Sequence, residues 1–251
     1  MTMLHYRRFG SGKTVVLQHG FVGCGEIFAP LSAQLAQNFD VIATDLPGLG
    51  GSAKIPAPDQ VGELAKILVE TLTELGVDKF SILGHSLGSE TALHLAMDFP
   101  ERVEKLILYG GCAADLPERY EPYEESIRRI DVDGIVPTAA RIASTWTNAG
   151  ANHPLYEFMR SCGVNSDQEG AKQLVRAMAN FDVRDRLGEV QAKTLVICGD
   201  MDRTTHPRHS IEMWEKIPDA QLCILPNSAH AAHAEVPGVF NQVVSRFLME
   251  D

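Results

Sequence analysis

The chain has 251 residues, 45% of them hydrophobic and 22% charged, enough to bury one sizeable core and too few to require two domains. Its 22 Lys and Arg against 33 Asp and Glu leave a formal net charge of −11, with no run of five basic residues, which argues against nucleic acid and anionic membrane surfaces as partners. No segment reaches the roughly 18 uninterrupted apolar residues of a membrane span, and the first twenty residues hold no apolar stretch of signal-peptide length, so a cytoplasmic protein is expected.

In chain order, short apolar runs rich in β-branched residues alternate with stretches of helical period. A strand is predicted over 14–17, a helix over 28–37, then strand 40–44, helix 60–75, strand 80–83, helix 87–98 and strand 103–109. The alternation resumes with strand 194–198, helix 207–217, strand 221–225 and helix 237–249. Near-continuous hydrophobicity in each strand implies burial on both faces, as in a parallel sheet, so the fold class is α/β with helices on both faces of a mostly parallel sheet. Between them, 113–185 has no convincing strand, only amphipathic pieces such as 137–147 and 169–180 separated by Pro and Gly. We expect residues 1–112 and 186–251 to form the core and 113–185 a helical cap, together one structural unit. The five cysteines are odd in number, scattered and without a C-x-x-C pair, so reduced, packed thiols are expected rather than a disulfide framework.

The strongest chemical signal is Gly84-His85-Ser86-Leu87-Gly88, directly after a predicted strand and before a predicted helix. A serine on such a turn is forced into a strained backbone conformation with its hydroxyl standing clear of the sheet edge, and the flanking glycines remove side chains that would clash across the bend. A helix cap is the bland alternative for a glycine-flanked serine; the strand before it and the partners below favour a nucleophile. The hydroxyl needs a base, and His230, in the loop after the last predicted strand, is the preferred one, with His233 as rival. His85 is expected to direct its side chain elsewhere, and His5, His94 and His153 suit surface or packing roles. The third member should be a buried carboxylate that fixes the imidazole tautomer. Asp202, in the loop after strand 194–198, is preferred over Asp200, which suits a turn-stabilising role; Asp115 is a third candidate. The order Ser86, Asp202, His230 matches that of serine hydrolases built on an α/β sheet. Acyl chemistry also needs donors for a developing oxyanion: the backbone N–H of Leu87, after the nucleophile, and that of Phe21, in the turn His19-Gly20-Phe21, are nominated. His19 itself reads as a structural hydrogen-bonding residue.

Two other patterns weigh less. His206-x-x-His209 and His230-x-x-His233 are too short and poorly placed for a specific metal site, so no metal is expected. Gly48-Leu49-Gly50-Gly51-Ser52 lacks the Gly-Lys-Ser/Thr ending of a phosphate loop and reads as a wide turn.

These stretches, with Asp45-Leu46-Pro47, Pro207, Glu235 and Pro237, resemble the α/β-hydrolase superfamily over nearly the whole chain. The resemblance places the acid three residues after Gly199 and the histidine five before Glu235, in agreement with Asp202 and His230. Within the superfamily the chain is most similar to small capped enzymes that include 3-oxoadipate enol-lactonases, cofactor-free haloperoxidase-like esterases and carboxylesterases. Ala231 stands where ring-cleavage C–C hydrolases usually carry Trp, and Ser86 where haloalkane dehalogenases and many epoxide hydrolases carry Asp. The resemblance implies a cofactor-free serine esterase or lactonase acting on a small molecule through an acyl-enzyme. The alternatives are C–C hydrolysis of a vinylogous diketone and a hydrolase-fold receptor for a small ligand. Trp146, Tyr123, Phe158 and Met159 are conceivable pocket-lining residues of the cap, or its core.

Overall fold

The computed structural model describes residues 3–114 and 121–250. Seven strands, β1 (Tyr6–Gly10), β2 (Thr14–Gln18), β3 (Asp40–Thr44), β4 (Phe80–His85), β5 (Val103–Tyr109), β6 (Lys193–Gly199) and β7 (Gln221–Leu225), form one sheet in the order β1-β3-β2-β4-β5-β6-β7. All neighbours are parallel except β1, which runs antiparallel to β3. The α-helices are α1 (Ala29–Leu35), α2 (Val61–Glu74), α3 (Leu87–Asp98), α4 (Tyr123–Asp133), α5 (Ile135–Ala143), α6 (Tyr156–Gly163), α7 (Gln168–Ala179), α8 (Pro207–Lys216), α9 (Ala232–Glu235) and α10 (Pro237–Met249).

Side-chain alternation along the strands explains their uninterrupted hydrophobicity. Val16, Ile42, Ile82, Leu106, Leu108 and Val196 point to one face, where they pack with Leu64, Leu68, Leu95 and Met213 from α2, α3 and α8. Val15, Leu17, Val41, Leu83, Ile107 and Ile197 point to the other, against Leu31 of α1 and Phe240, Val244 and Phe247 of α10. Each such side chain removed from water contributes roughly 1.5–3 kcal/mol, so both faces hold the sheet.

Strand β1 is absent from the sequence-based prediction because Tyr-Arg-Arg-Phe-Gly carries no apolar run. It is an edge strand that water reaches, held by its antiparallel ladder to β3, and across that ladder the Arg8 guanidinium makes two bonds of 2.8 Å to the carboxylate of Asp40.

Among the described residues, four α-helices, α4 to α7, stand between β5 and β6. Where the chain leaves and re-enters the core, Ala114 and Asp182 form an isolated antiparallel bridge and the Val183 N–H donates to Ala113 O at 2.8 Å. The ends of the segment are thereby held together. Its helices pack on both sides of the site described below: Leu174, Val175 and Met178 of α7 join the cluster around Leu46 and Leu64, whereas Ala143, Trp146 and Met159 join that around Phe28 and Tyr109. The five cysteines are free thiols, four of them buried. Among the described residues no helix is long and apolar enough to cross a membrane.

Candidate active site

Ser86 sits between β4 and α3 with φ 56° and ψ −123°, a conformation that costs a non-glycine residue on the order of 1–3 kcal/mol. The surroundings over-determine it. Its N–H donates to Tyr109 O at 2.9 Å, and its carbonyl accepts from Ser89 N–H (2.7 Å) and Glu90 N–H (3.2 Å). The sharp reversal brings backbones into contact that no side chain could share: a Cβ on Gly84 would stand 2.1 Å from Gly88 O, and one on Gly88 2.3 Å from Gln18 O of β2. The two glycines of the motif are therefore the condition for the turn.

Gly20, after β2, faces this turn so closely that a Cβ there would lie 2.8 Å from Ser86 Cβ and 3.4 Å from its Oγ. Phe21 follows directly. Among the described residues neither the Phe21 N–H nor the Leu87 N–H donates to another protein group, the condition required of donors reserved for a ligand oxygen. The turn is braced from behind by His19, whose Nδ1–H donates to Gly20 O (2.8 Å) while Nε2 accepts from Leu46 N–H (2.9 Å). Burial lowers the pKa of His19 and keeps this tautomer neutral. Asp45 completes the brace by accepting from Gly25 N–H (2.6 Å) and Gly51 N–H (2.7 Å). Burial opposes its charge, but those two amides and the nearby Arg7 guanidinium favour the carboxylate, and its pKa lies below the usual range.

Asp202 and His230 meet although 28 residues separate them: His230 Nδ1–H donates to Asp202 Oδ2 at 2.8 Å, with 2% and 1% of the residues exposed. The other carboxylate oxygen accepts from Thr204 N–H (2.8 Å) and Thr205 N–H (2.9 Å). With Nδ1 occupied, Nε2 is the lone-pair nitrogen. Gly110, at the end of β5, packs where a Cβ would be 3.4 Å from both His230 Nδ1 and Asp202 Oδ2. No hydrogen bond joins Ser86 Oγ to the imidazole in this structure; such bonds in unliganded sites are often long and tighten with substrate. The two are linked through their neighbour: the His85 ring lies 4.5 Å from that of His230, and His85 Nε2–H donates to His230 O at 3.0 Å. Asp200 is exposed and accepts from Ser228 N–H at 3.2 Å, a turn contact. Asp115 lies outside the described residues.

His233 occupies a different environment, packed against Phe28 and Phe240 with Nδ1 3.0 Å from the Tyr109 hydroxyl. The same hydroxyl donates to His230 O at 2.9 Å. His85, Tyr109 and His233 thus form a buried polar cluster under the histidine loop. Sequence reasoning named two of them but missed Tyr109; the available signal was a tyrosine ending a run otherwise buried as a strand, since a buried hydroxyl demands a partner. Burial, then the proximity of His230, pushes His233 down to about 3, and burial holds His85 well below its ordinary value. In the unfolded chain both titrate near about 6.5, so below that pH only the unfolded chain takes up their protons. Each histidine then removes up to about 1.4 kcal/mol of stability per pH unit, until the folded group also titrates. Urea unfolding midpoints are expected to fall from pH 7 toward pH 5, and His233→Asn should flatten that slope; an unchanged slope would contradict the assignment.

Of the four residues that could line a pocket or form core, none lines the cavity nearest these loops. Trp146 and Met159 are core residues, Phe158 is exposed, and Tyr123 packs against the core. A cavity of about 440 Å³ instead lies between the 141–150 stretch and the acid and histidine loops, lined by Arg141, Thr145, Asn148, Arg203, Thr204 and Ala229 among others. Ser86 does not line it. His206 caps α8 by accepting from Arg208 N–H, and among the described residues no group of three or more His, Cys, Asp or Glu is arranged to hold a metal ion.

The serine turn, the acid loop and the histidine loop all lie at the carboxyl ends of parallel strands, and residues 13–237 match the family model described as alpha/beta hydrolase fold. The chain belongs to that family. It is 29% identical over 269 residues, covering 98% of this chain and 91% of the relative, to a 2-hydroxy-6-oxo-6-phenylhexa-2,4-dienoate hydrolase of Burkholderia cepacia. Among solved structures, a thermophilic esterase from Thermogutta terrifontis superposes with a TM-score of 0.89 at 27% identity, covering 98% of this chain and 92% of that one. The enol-lactonase from Burkholderia xenovorans LB400 superposes at 0.92 with 24% identity, covering 98% and 96%, a likeness of fold.

Proposed function

We propose that this protein hydrolyses a small carboxylic ester or lactone through an acyl-enzyme on Ser86. In this reading Ser86 Oγ attacks the carbonyl carbon while His230 Nε2 takes its proton. The oxyanion accepts from the N–H groups of Phe21 and Leu87, and collapse expels the alcohol, which receives the proton from His230. Water, deprotonated by the same nitrogen, then releases the acid. Asp202 holds the imidazole in the tautomer that leaves Nε2 free and steadies the imidazolium. The observation that carries the proposal is the buried 2.8 Å bond from His230 Nδ1 to Asp202, on the loops that accompany a strained serine turn. The segment 113–185 serves as cap, one unit with the core of 1–112 and 186–251. No cofactor takes part. Free thiols accord with a reducing cytoplasmic compartment.

The esterase neighbour supports ester hydrolysis. A second reading, C–C hydrolysis of a vinylogous diketone with the same three residues, is favoured by the 29% identical dienoate hydrolase; Ala231 next to His230 argues for the first. A panel of p-nitrophenyl esters of graded length, enol-lactones, acyl homoserine lactones and a vinylogous diketone separates them. Multiple turnovers on an ester or lactone are expected. Turnover of the diketone alone would support the second reading, and ligand-induced stabilisation with negligible turnover would indicate a receptor.

A further inference from the structure

Glu235, five residues after His230, ends α9 and takes no part in the chemistry above. Its carboxylate is nevertheless shared between two backbones: Oε2 accepts from Ala229 N–H at 2.6 Å and Oε1 from Asn148 N–H at 2.7 Å. On the other side of His230, the Ala231 N–H donates to Trp146 O at 2.6 Å. The carbonyl of His230 itself accepts from His85 Nε2–H and the Tyr109 hydroxyl. Three consecutive residues of the histidine loop are therefore pinned through their backbones. The middle one is pinned from the core, Ala231 by Trp146 O, and Ala229 by Glu235, whose other oxygen holds Asn148; residues 146 and 148 belong to the segment inserted between β5 and β6. A carboxylate accepting from backbone N–H groups makes stronger bonds than a neutral acceptor, and Ala229 and Ala231 are buried, so a lost acceptor there would leave a buried donor unpaired.

We propose that Glu235 is a positioning residue that couples the 146–148 stretch to His230, so that presentation of the imidazole to Ser86 depends on that stretch being seated. Asn148 also lines the cavity of about 440 Å³, which makes the stretch the point where a bound ligand bears on the histidine. The inference rests on His230 acting as the base.

The test measures kcat and KM separately on the best substrate of the panel, together with the rate at which an alkyl fluorophosphonate labels Ser86. A misplaced base slows chemistry while leaving ground-state binding intact, and displacements of about 1 Å can cost on the order of 10² in rate. Glu235→Ala is expected to lower kcat and the labelling rate by about 10- to 100-fold with KM little changed. Glu235→Gln, which keeps one accepting oxygen for two N–H groups, should lose less. Asn148→Pro removes the backbone donor on the cap side, and with it the side-chain contact to Asn227 O at 3.5 Å, which Asn148→Ala removes alone; it should also lower kcat relative to Asn148→Ala, and that further loss should vanish when Glu235→Ala is already present. If Glu235→Ala does not fold, Glu235→Gln and Asn148→Pro carry the test. Unchanged kcat and labelling rate in folded variants, or loss only in proportion to the unfolded fraction, would overturn the coupling. Full activity in Ser86→Ala alongside would instead remove the triad and this inference with it; an inactive Ser86→Ala beside a normal Glu235→Ala removes the coupling alone.

Discussion

Ser86→Ala is expected to lower kcat by on the order of 10⁶ and to leave the fold in place. The expected effect is large because in the proposed mechanism His230 and the N–H groups of Phe21 and Leu87 all act on one oxygen; without it none of them has a reacting partner. Alanine meets the same backbone demand at φ 56° as serine does, and the bonds that hold the turn, from Ser86 N–H to Tyr109 O and from Ser89 N–H to Ser86 O, are made by the backbone. Thermal midpoints of variant and parent should therefore agree closely while turnover disappears. Hydrolysis that survives the change unaltered would assign the activity to another group.

Asp202→Asn should cost about 10⁴ in kcat through the tautomer of His230 rather than through folding. The surroundings dictate which way the amide lies. Oδ1 accepts from two backbone donors, Thr204 N–H and Thr205 N–H, so the single carbonyl oxygen of asparagine is drawn there and its NH₂ faces the imidazole. Nδ1 must then accept, which moves the ring proton to Nε2, the nitrogen that in the proposed mechanism removes the serine proton. Activity should recover partially in buffers where hydroxide replaces the base. A variant within tenfold of the parent at neutral pH would show that the carboxylate does not set the tautomer.

The parts of this site that were legible in the chain are those fixed by local geometry. Gly84 and Gly88 flank Ser86 because a strand reversing into a helix leaves no room for Cβ atoms, and that constraint is written in five consecutive residues. Asp202 and His230 could be nominated because each follows a strand on the edge where loops gather; their 2.8 Å contact depends on β6 and β7 being neighbours, which the chain order of an α/β sheet suggests. What was not legible depends on which distant surfaces meet. Tyr109 looks like one more apolar strand residue until the loop carrying His230 and His233 folds over its hydroxyl. For Trp146 and Met159 the chain left pocket and core equally open, and they pack in the cluster around Phe28, because amphipathic periodicity gives the width of an apolar face and not its partner. Strand β1 was invisible for the opposite reason: its backbone ladder to β3 and the Arg8–Asp40 pair need no apolar run. Glu235 entered only as part of a pattern, and its two acceptor bonds gave it a physical role.

The convergence of positions 86, 202 and 230 on one reacting centre is tested most directly by a crystal structure of the protein after reaction with an alkyl fluorophosphonate. The account predicts phosphorus bonded to Ser86 Oγ, a phosphonyl oxygen within roughly 2.7–3.1 Å of the N–H groups of Phe21 and Leu87, and His230 Nε2 within hydrogen-bond reach of Oγ or a phosphonyl oxygen. Phosphorus on a different residue, or an adduct on Ser86 with its oxygen turned away from both amides and His230 out of reach, would contradict it.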